Sequence, residues 1–442
     1  MDVLLSNDEA ARLSAAYGRE TLKEELRRAM AAGEVLADPL LARAGEALAR
    51  RFAPTLTRVL NGTGVLLHTN LGRAVLGPDA RAALEEALPG YCSVEFDAET
   101  GERGRRQDHV RGAARGLFSA EDALAVNNNA SAVFLALSAL ARGRPVVVSR
   151  GELVAIGGSF RIPDILAASG AELLEVGTTN RTTLDDFRRA LEARPALVLT
   201  VHPSNYEIRG FTERPEPRAL AALAREAGIP WLHDQGTGCV EPLEEFGVPG
   251  EPTVASCLAD GADLVTFSGD KLLCGPQAGL VVGRASLVAS LAAHPVARVV
   301  RPDKLTLAAL AATLHAWKRG RWRAFPVYLA AGASLSSLEE RGRTFLRELS
   351  GRPQGARMEL AVVESAALFG GGTSPDKSFP SRALAVTVRG LSADELAARW
   401  RARELPLVGR VSDGRALVDL RTILPDEDSL LARALAESVA AA

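Results

Sequence analysis

Ala262-Asp263-Leu264-Val265-Thr266-Phe267-Ser268-Gly269-Asp270-Lys271-Leu272-Leu273-Cys274-Gly275-Pro276-Gln277-Ala278-Gly279 begins as a strand and ends as a turn. Leu264 to Phe267 is a short apolar run of the kind a buried strand shows, and it stops at Ser-Gly-Asp-Lys followed by Gly-Pro. The turn holds Lys271 on backbone with little freedom. A lysine in an isolated turn is ordinarily solvated. At a buried strand end, by contrast, burial disfavours the ammonium and favours the neutral, nucleophilic amine that Schiff-base chemistry uses.

Around this stretch, from Ala123 onward, short apolar strands alternate with helices. Strands are expected at Ala123–Val126, Val146–Val148, Leu173–Val176, Leu197–Val201, Trp231–His233 and Leu264–Phe267. Helices are expected at Ala132–Ala141, Arg188–Ala193 and Arg218–Ala227. Such alternation builds a mostly parallel sheet covered on both faces, an α/β fold whose ligands sit beyond the carboxyl ends of the strands. Asn127 to Ser131 lies between a strand and a helix N-terminus, where free N–H groups and the helix dipole favour a phosphate. It carries neither GxxxxGK[ST] nor GxGxxG. Asp234 ends the strand Trp231-Leu-His-Asp and turns a carboxylate into the same crevice. A phosphate cup, then an aspartate, then a strand-end lysine is the order of a pyridoxal-phosphate site, with carboxylate for the pyridinium nitrogen and amine for the aldehyde.

The bulk numbers allow two or three domains. The chain has 442 residues with 52 Lys and Arg against 54 Asp and Glu, a net charge of -2, so no global basic field announces a nucleic acid. The four cysteines, Cys92, Cys239, Cys257 and Cys274, show no metal spacing and read as reduced thiols. No apolar run reaches membrane-spanning length and no signal peptide is visible, so a cytoplasmic protein is expected. The first 58 residues read as a helical module: a Ser6/Glu9 capping box, a helix from Glu20 to Ala32, and a third opening at Asp38-Pro39 with Leu40, Ala44, Leu48 and Phe52 on one face. Its nine basic and nine acidic residues leave RNA binding and packing both open.

Two loops stand out besides. In Asn61-Gly-Thr-Gly-Val-Leu-Leu-His68-Thr-Asn-Leu-Gly-Arg73, glycines permit close backbone approach, and Arg73 offers a bidentate contact to an oxyanion. His68 reads as structural. The basic turn in Gly101–Arg115 reads as a solvated loop or a subunit contact.

Taken together, these residues resemble the bacterial selenocysteine synthases, the L-seryl-tRNA(Sec) selenium transferases. The resemblance rests on Asn61–Ala74, Asn127–Val133, Ser149–Ile165, His202–Phe211, Asp234–Cys239 and Ser268–Gly279. It implies a type I pyridoxal-phosphate-dependent transferase fold with three parts. These are an N-terminal helical domain at 1–58 that binds tRNA, a large coenzyme domain at 59–300 and a small α+β domain at 301–442. It implies that Lys271 is the Schiff-base lysine, Asp234 the partner of the pyridine nitrogen, and Asn128, Asn129, Ala130 and Ser131 the phosphate cup, with Ser268 a further donor. Asp270 is implied to be catalytic. Arg73, Arg298 and Arg301 are implied to receive the phosphate-like group of the selenium donor, the last two as helix neighbours if 295–304 is helical. The implied reaction converts seryl-tRNA(Sec) to selenocysteinyl-tRNA(Sec) with selenophosphate, by β-elimination to an aminoacrylyl intermediate and selenium addition, in a homo-oligomer of dimers as large as a decamer. No membrane or DNA partner and no metal are expected.

Against the family pattern, the leader before Tyr17–Arg27 is short, which suggests a trimmed helical domain, and Cys274 replaces a common glycine. Gly370-Gly-Gly-Thr-Ser-Pro matches a glycine-rich loop of the small domain and equally suits a hairpin. Arg421 reads as a salt-bridging residue, or as a grip for an α-carboxylate in an enzyme of free amino acids. The rival readings are a related pyridoxal-phosphate lyase acting on a free amino acid or amino-sugar phosphate, and a non-catalytic tRNA-binding scaffold.

Overall fold

The structure is a computed structural model describing residues 2–31, 36–156, 160–203, 206, 208–351 and 357–440. It divides into two units, Met1–Arg58 and Val59–Ala442.

The first unit packs α1 (Asp2–Leu5), α2 (Asp8–Tyr17), α3 (Arg19–Ala31) and α4 (Ala37–Phe52) around Ala10, Leu22, Leu26, Leu40, Ala44 and Leu48. Three details differ from the sequence reading. Asn7, not Ser6, caps α2 by accepting from the Glu9 N–H at 2.8 Å. The third helix is capped by Leu36, with no side-chain cap. Phe52 is half exposed and stacks on Tyr17 at 5.5 Å, because the helix has left the core by its last turn. The expected end of the second helix at Ala32 lies outside the described residues.

The second unit is built on a seven-stranded sheet. Its strands are β1 (Asp122–Val126), β2 (Pro145–Ser149), β3 (Glu172–Val176), β4 (Leu197–Val201), β5 (Trp231–Gly236), β6 (Leu264–Ser268) and β7 (Gly279–Gly283), in spatial order β1-β7-β6-β5-β4-β2-β3. Neighbours from β6 to β3 are parallel. The strand β7 is antiparallel to both β6 and β1, and sequence reading missed it. A Cβ on Gly279, at its start, would lie 2.1 Å from the Asn128 carbonyl oxygen, so glycine is there to let two backbones touch.

The central strands are apolar throughout because both faces are covered. One face packs Leu124, Val133, Leu166 and Leu199, and the other packs Val147, Val198, Phe118, Val265 and Phe267. The second core also takes in Leu310, Trp317, Phe325 and Tyr328, so the packing on the sheet runs past residue 300.

A four-stranded antiparallel sheet follows: β8 (Met358–Gly370), β9 (Thr373–Val388), β10 (Arg410–Ser412) and β11 (Arg415–Asp419), in order β8-β9-β11-β10. Gly370, Gly371 and Gly372 take φ of 73°, 62° and 77° at the β8–β9 hairpin, the plain-turn alternative for that run. The early loop docks here: Leu66 and Leu67 donate to the Leu368 and Phe369 carbonyls, and Gly62 N–H donates to Val408. A Cβ on Gly370 would meet Val65 at 2.3 Å. The residues that carry Arg73 are thus clamped to the C-terminal sheet.

Candidate active site

The lysine turn is held by backbone hydrogen bonds on every side. Gly269 N–H donates to Ala278, Gly275 N–H to Gly269, Cys274 N–H to Lys271, and Leu272 N–H to Thr237. Two side chains from beyond residue 300 fasten it further: Tyr328 OH donates to the Leu272 carbonyl at 2.8 Å and Trp317 Nε1 to the Leu273 carbonyl at 2.9 Å. Nothing in the sequence tied these aromatics to the lysine. Cys274 completes the turn at φ 60°, the left-handed region in which glycine is at ease.

Lys271 is 5 % exposed. Burial pushes its ammonium pKa down, the Arg73 charge adds to that, and Asp234 and Asp270 pull the other way. The neutral amine is therefore favoured relative to a free lysine.

Asp234, at the end of β5, is buried, and burial raises its pKa while hydrogen bonds from Asn129 and Thr266 and the Lys271 charge oppose the rise. Asn129 Nδ2 donates at 2.8 Å and Thr266 Oγ1 at 3.0 Å, both to Oδ1. Thr266 can do so because it pairs with Asp234 across adjacent strands. Two donors on one oxygen hold the carboxylate plane and keep it acceptor-rich.

The helix Asn129–Leu140 begins at the expected phosphate turn. Asn128 is its N-cap, and Asn128 Oδ1 accepts from Ser131 N–H at 2.8 Å. The four residues therefore divide their labour: Ser131 N–H is already spent, Asn129 lends its side chain to Asp234, and the backbone N–H groups of Asn129 and Ala130 remain at the helix start for an anion. Asn129 Oδ1 is buried without a partner among the described residues. Ser268 is buried at the end of β6.

Asp270 is 7 % exposed and takes Arg73 Nη1 on both oxygens, at 3.1 and 2.9 Å. Its carbonyl also accepts from Ala74 N–H at 3.2 Å. Arg73 itself sits at φ 63°, with its N–H on the His68 carbonyl. Arg73, Asp270 and Lys271 thus form one group of contacts and charges.

Arg298 and Arg301 lie elsewhere along the rim. The helix there is only Pro295–Val299, so Arg301 is beyond its end and the two are not helix neighbours, because Pro302 disfavours helical backbone at the residue before it. Asn127 N–H donates to the Val300 carbonyl at 2.8 Å, which sets this segment beside the phosphate turn. Arg301 pairs with Glu95 at 3.6 Å, and Glu95 also holds Arg103 and Arg106. No described hydrogen bond or ion pair joins Arg298 or Arg301 to Arg73 or Lys271.

Among the described residues Arg421 makes no salt bridge, and its terminal nitrogens are spent on carbonyls. Nη1 donates to the Ala330, Ala331 and Ala333 carbonyls and Nη2 to Pro380, capping the helix Pro326–Gly332. In the matched motifs, residues 157–159 of Ser149–Ile165 and 204, 205 and 207 of His202–Phe211 lie outside the described residues.

The model of the L-seryl-tRNA selenium transferase family matches residues 59–424 of this site-bearing unit. The chain belongs to that family. The L-seryl-tRNA(Sec) selenium transferase of Geobacter sulfurreducens is 46 % identical, covering 99 % of this chain and 97 % of its own. That of Moorella thermoacetica is 46 % identical over 87 % and 82 %. A solved D-glucosaminate-6-phosphate ammonia-lyase superposes with a TM-score of 0.62 at 18 % identity, over 89 % of this chain and 98 % of its own, which is a likeness of fold. The fold is that of type I pyridoxal-phosphate enzymes, and pyridoxal 5′-phosphate is the coenzyme. The donor set suits it: a buried carboxylate with its donors gathered on one oxygen, a buried amine, a helix start, and on Asn129 an amide oxygen with no partner among the described residues. Among the described residues no helix is long and apolar enough to cross a membrane.

Proposed function

We propose that the second unit converts a seryl residue esterified to tRNA(Sec) into a selenocysteinyl residue, with Lys271, Asp234 and the Asn128–Ser131 turn holding pyridoxal 5′-phosphate and selenophosphate as donor. When bound, that group supplies an aldehyde for amines and an electron sink for charge formed at the seryl α-carbon. Asp234 keeps a proton on the pyridine nitrogen, and Asn129 and Thr266 keep Asp234 oriented to do so. Lys271 Nζ, whose burial favours the neutral amine, removes the α-proton and returns a proton to the product. The Asn129 and Ala130 amides bind the phosphate, with Ser268 at the neighbouring strand end.

Arg73, positioned by Asp270, binds the donor's oxyanion. Arg298 and Arg301 belong to the same donor path in this reading, Arg301 steered by Glu95. Asp270 then acts first as a positioning residue for Arg73. The exposed Leu88, Tyr91 and Phe96 support a contact between copies of the chain, in keeping with a homo-oligomer, and Met1–Arg58 is the candidate RNA-binding unit.

The observation that carries the reading is the pairing of a buried, amine-favoured Lys271 with the oriented Asp234 one strand away. The commitment of Arg421 to carbonyls supports an ester substrate over a free α-carboxylate. Purified protein supplied with seryl-tRNA(Sec) should release water from the seryl group and incorporate selenium. Turnover of free serine with indifference to tRNA would favour a lyase instead.

A further inference from the structure

A cavity of about 420 Å³ opens along the same sheet edge but outside the residues assigned to the coenzyme. It lies where β2, β3 and β4 end, lined by Ser149, Thr182, His202, Tyr206 and Arg214, with Glu251 and Lys377 also on its wall. It shares a wall with the lysine turn. His202 N–H donates to the Asp234 carbonyl at 2.9 Å, while Glu251 Oε1 accepts from Thr237 Oγ1, whose own carbonyl holds Leu272 N–H.

The lining is polar rather than greasy and carries both signs of charge, the cations Arg214 and Lys377 beside the carboxylates Glu251 and Glu213, the last paired with Arg181. Ser149 and Thr182 form a buried floor, hydroxyl to hydroxyl at 2.7 Å. Arg214 and Lys377 bring positive charge, and Tyr206 brings a ring fixed by a hydrogen bond from its hydroxyl to the Gly151 carbonyl. His202 Nδ1 is buried and has no partner among the described residues, and burial lowers the imidazole's pKa.

A serine side chain or a small selenium anion would fill a fraction of this volume, since cavities of roughly 300–1,000 Å³ take drug-sized ligands. A nucleoside with its 5′-phosphate is within the size range such a cavity takes. Hydroxyls and an unpartnered imidazole suit a ribose, an aromatic ring suits a base, and two cations suit a phosphodiester.

We propose that this cavity seats the 3′-terminal adenosine of the aminoacylated RNA, so that the seryl ester reaches Lys271 across His202; this rests on the seryl-tRNA reading above. The probe is adenosine 5′-monophosphate, used with the holoenzyme in equilibrium dialysis and as an inhibitor of seryl-tRNA(Sec) turnover. It should bind, and compete with the RNA. Thr179→Trp, which fills the cavity from an exposed position, and Arg214→Ala should each weaken the nucleotide about tenfold and raise KM for seryl-tRNA(Sec) about tenfold with a smaller change in kcat, a loss of about 1.4 kcal/mol. The coenzyme absorbance should stay as in wild type, which separates this effect from unfolding.

Absence of nucleotide binding by wild type, or variants that leave KM unchanged in an enzyme that still turns over seryl-tRNA(Sec), would overturn the proposal while leaving the proposed function intact. Nucleotide binding by a protein that never turns over seryl-tRNA(Sec) would overturn the assignment to RNA together with the function.

Discussion

Arg73 and Asp270 act on Lys271 with opposite signs, and that opposition can be measured. The Arg73 charge lowers the lysine's pKa and the Asp270 charge raises it. Arg73→Ala should therefore move the amine's pKa up and reduce the neutral fraction near pH 7, whereas Asp270→Asn should move it down. The pair is also a stability element. At 2.9 Å the gross attraction at an effective dielectric of about 20 is about 6 kcal/mol. Desolvation of the buried carboxylate and the 29 % exposure of the Arg73 side chain leave a net coupling on the order of 1–3 kcal/mol. The assay is the pH midpoint for coenzyme uptake by apoprotein, which reports the neutral amine, run beside a urea double-mutant cycle for Arg73 and Asp270. Midpoints that shift in the same direction, or a coupling below about 0.5 kcal/mol, would refute the reasoning. The same Asp270→Asn protein decides that residue's role: selenium transfer lowered mainly through KM for the donor marks it as positioning, while a collapse of kcat at saturating donor marks it as catalytic.

Two further outcomes follow from buried groups near the site. Glu152 accepts from Val201 N–H at 2.9 Å, and burial raises its pKa from 4.5 to about 7. The native state therefore holds this proton more tightly than the unfolded chain, and the associated stability is full below about pH 4.5 and lost as pH rises to about 7. Glu152→Gln should gain on the order of 2 kcal/mol over wild type between pH 5 and pH 8 by chemical denaturation; equal slopes in the two proteins would count against the burial argument. At Cys274, glycine would relieve about 1 kcal/mol of left-handed strain and forfeit about as much buried thiol, so Cys274→Gly should be within about 1 kcal/mol of wild type. Cys274→Val, β-branched at φ 60°, should lose more than about 2 kcal/mol in the same experiment.

The parallel sheet was legible because strands covered on both faces must be apolar along their whole length, and the helices between them set the crossover spacing. Asp234 and Lys271 were legible because each polar residue sits where such a run stops. What escaped the sequence depends on distant partners. Asn129 reads as one more polar turn residue until the fold brings it to a carboxylate 105 positions away. No pattern in the sequence links Trp317 and Tyr328 to the lysine turn, yet their polar tips hold it. The β7 strand is bounded by glycines that exist for close packing, at Gly279 against Asn128 and at Gly283 against Asp263. The expected helix through Arg301 ignored Pro302, a local signal that was present.

The most direct test is to reduce the purified holoenzyme with borohydride, digest it, and locate the coenzyme-bearing peptide by mass spectrometry. The account predicts a single pyridoxyl adduct on Lys271 and, in Lys271→Ala, neither the adduct nor the near-visible absorption band. An adduct on another lysine, or a Lys271→Ala protein that keeps both, would contradict it.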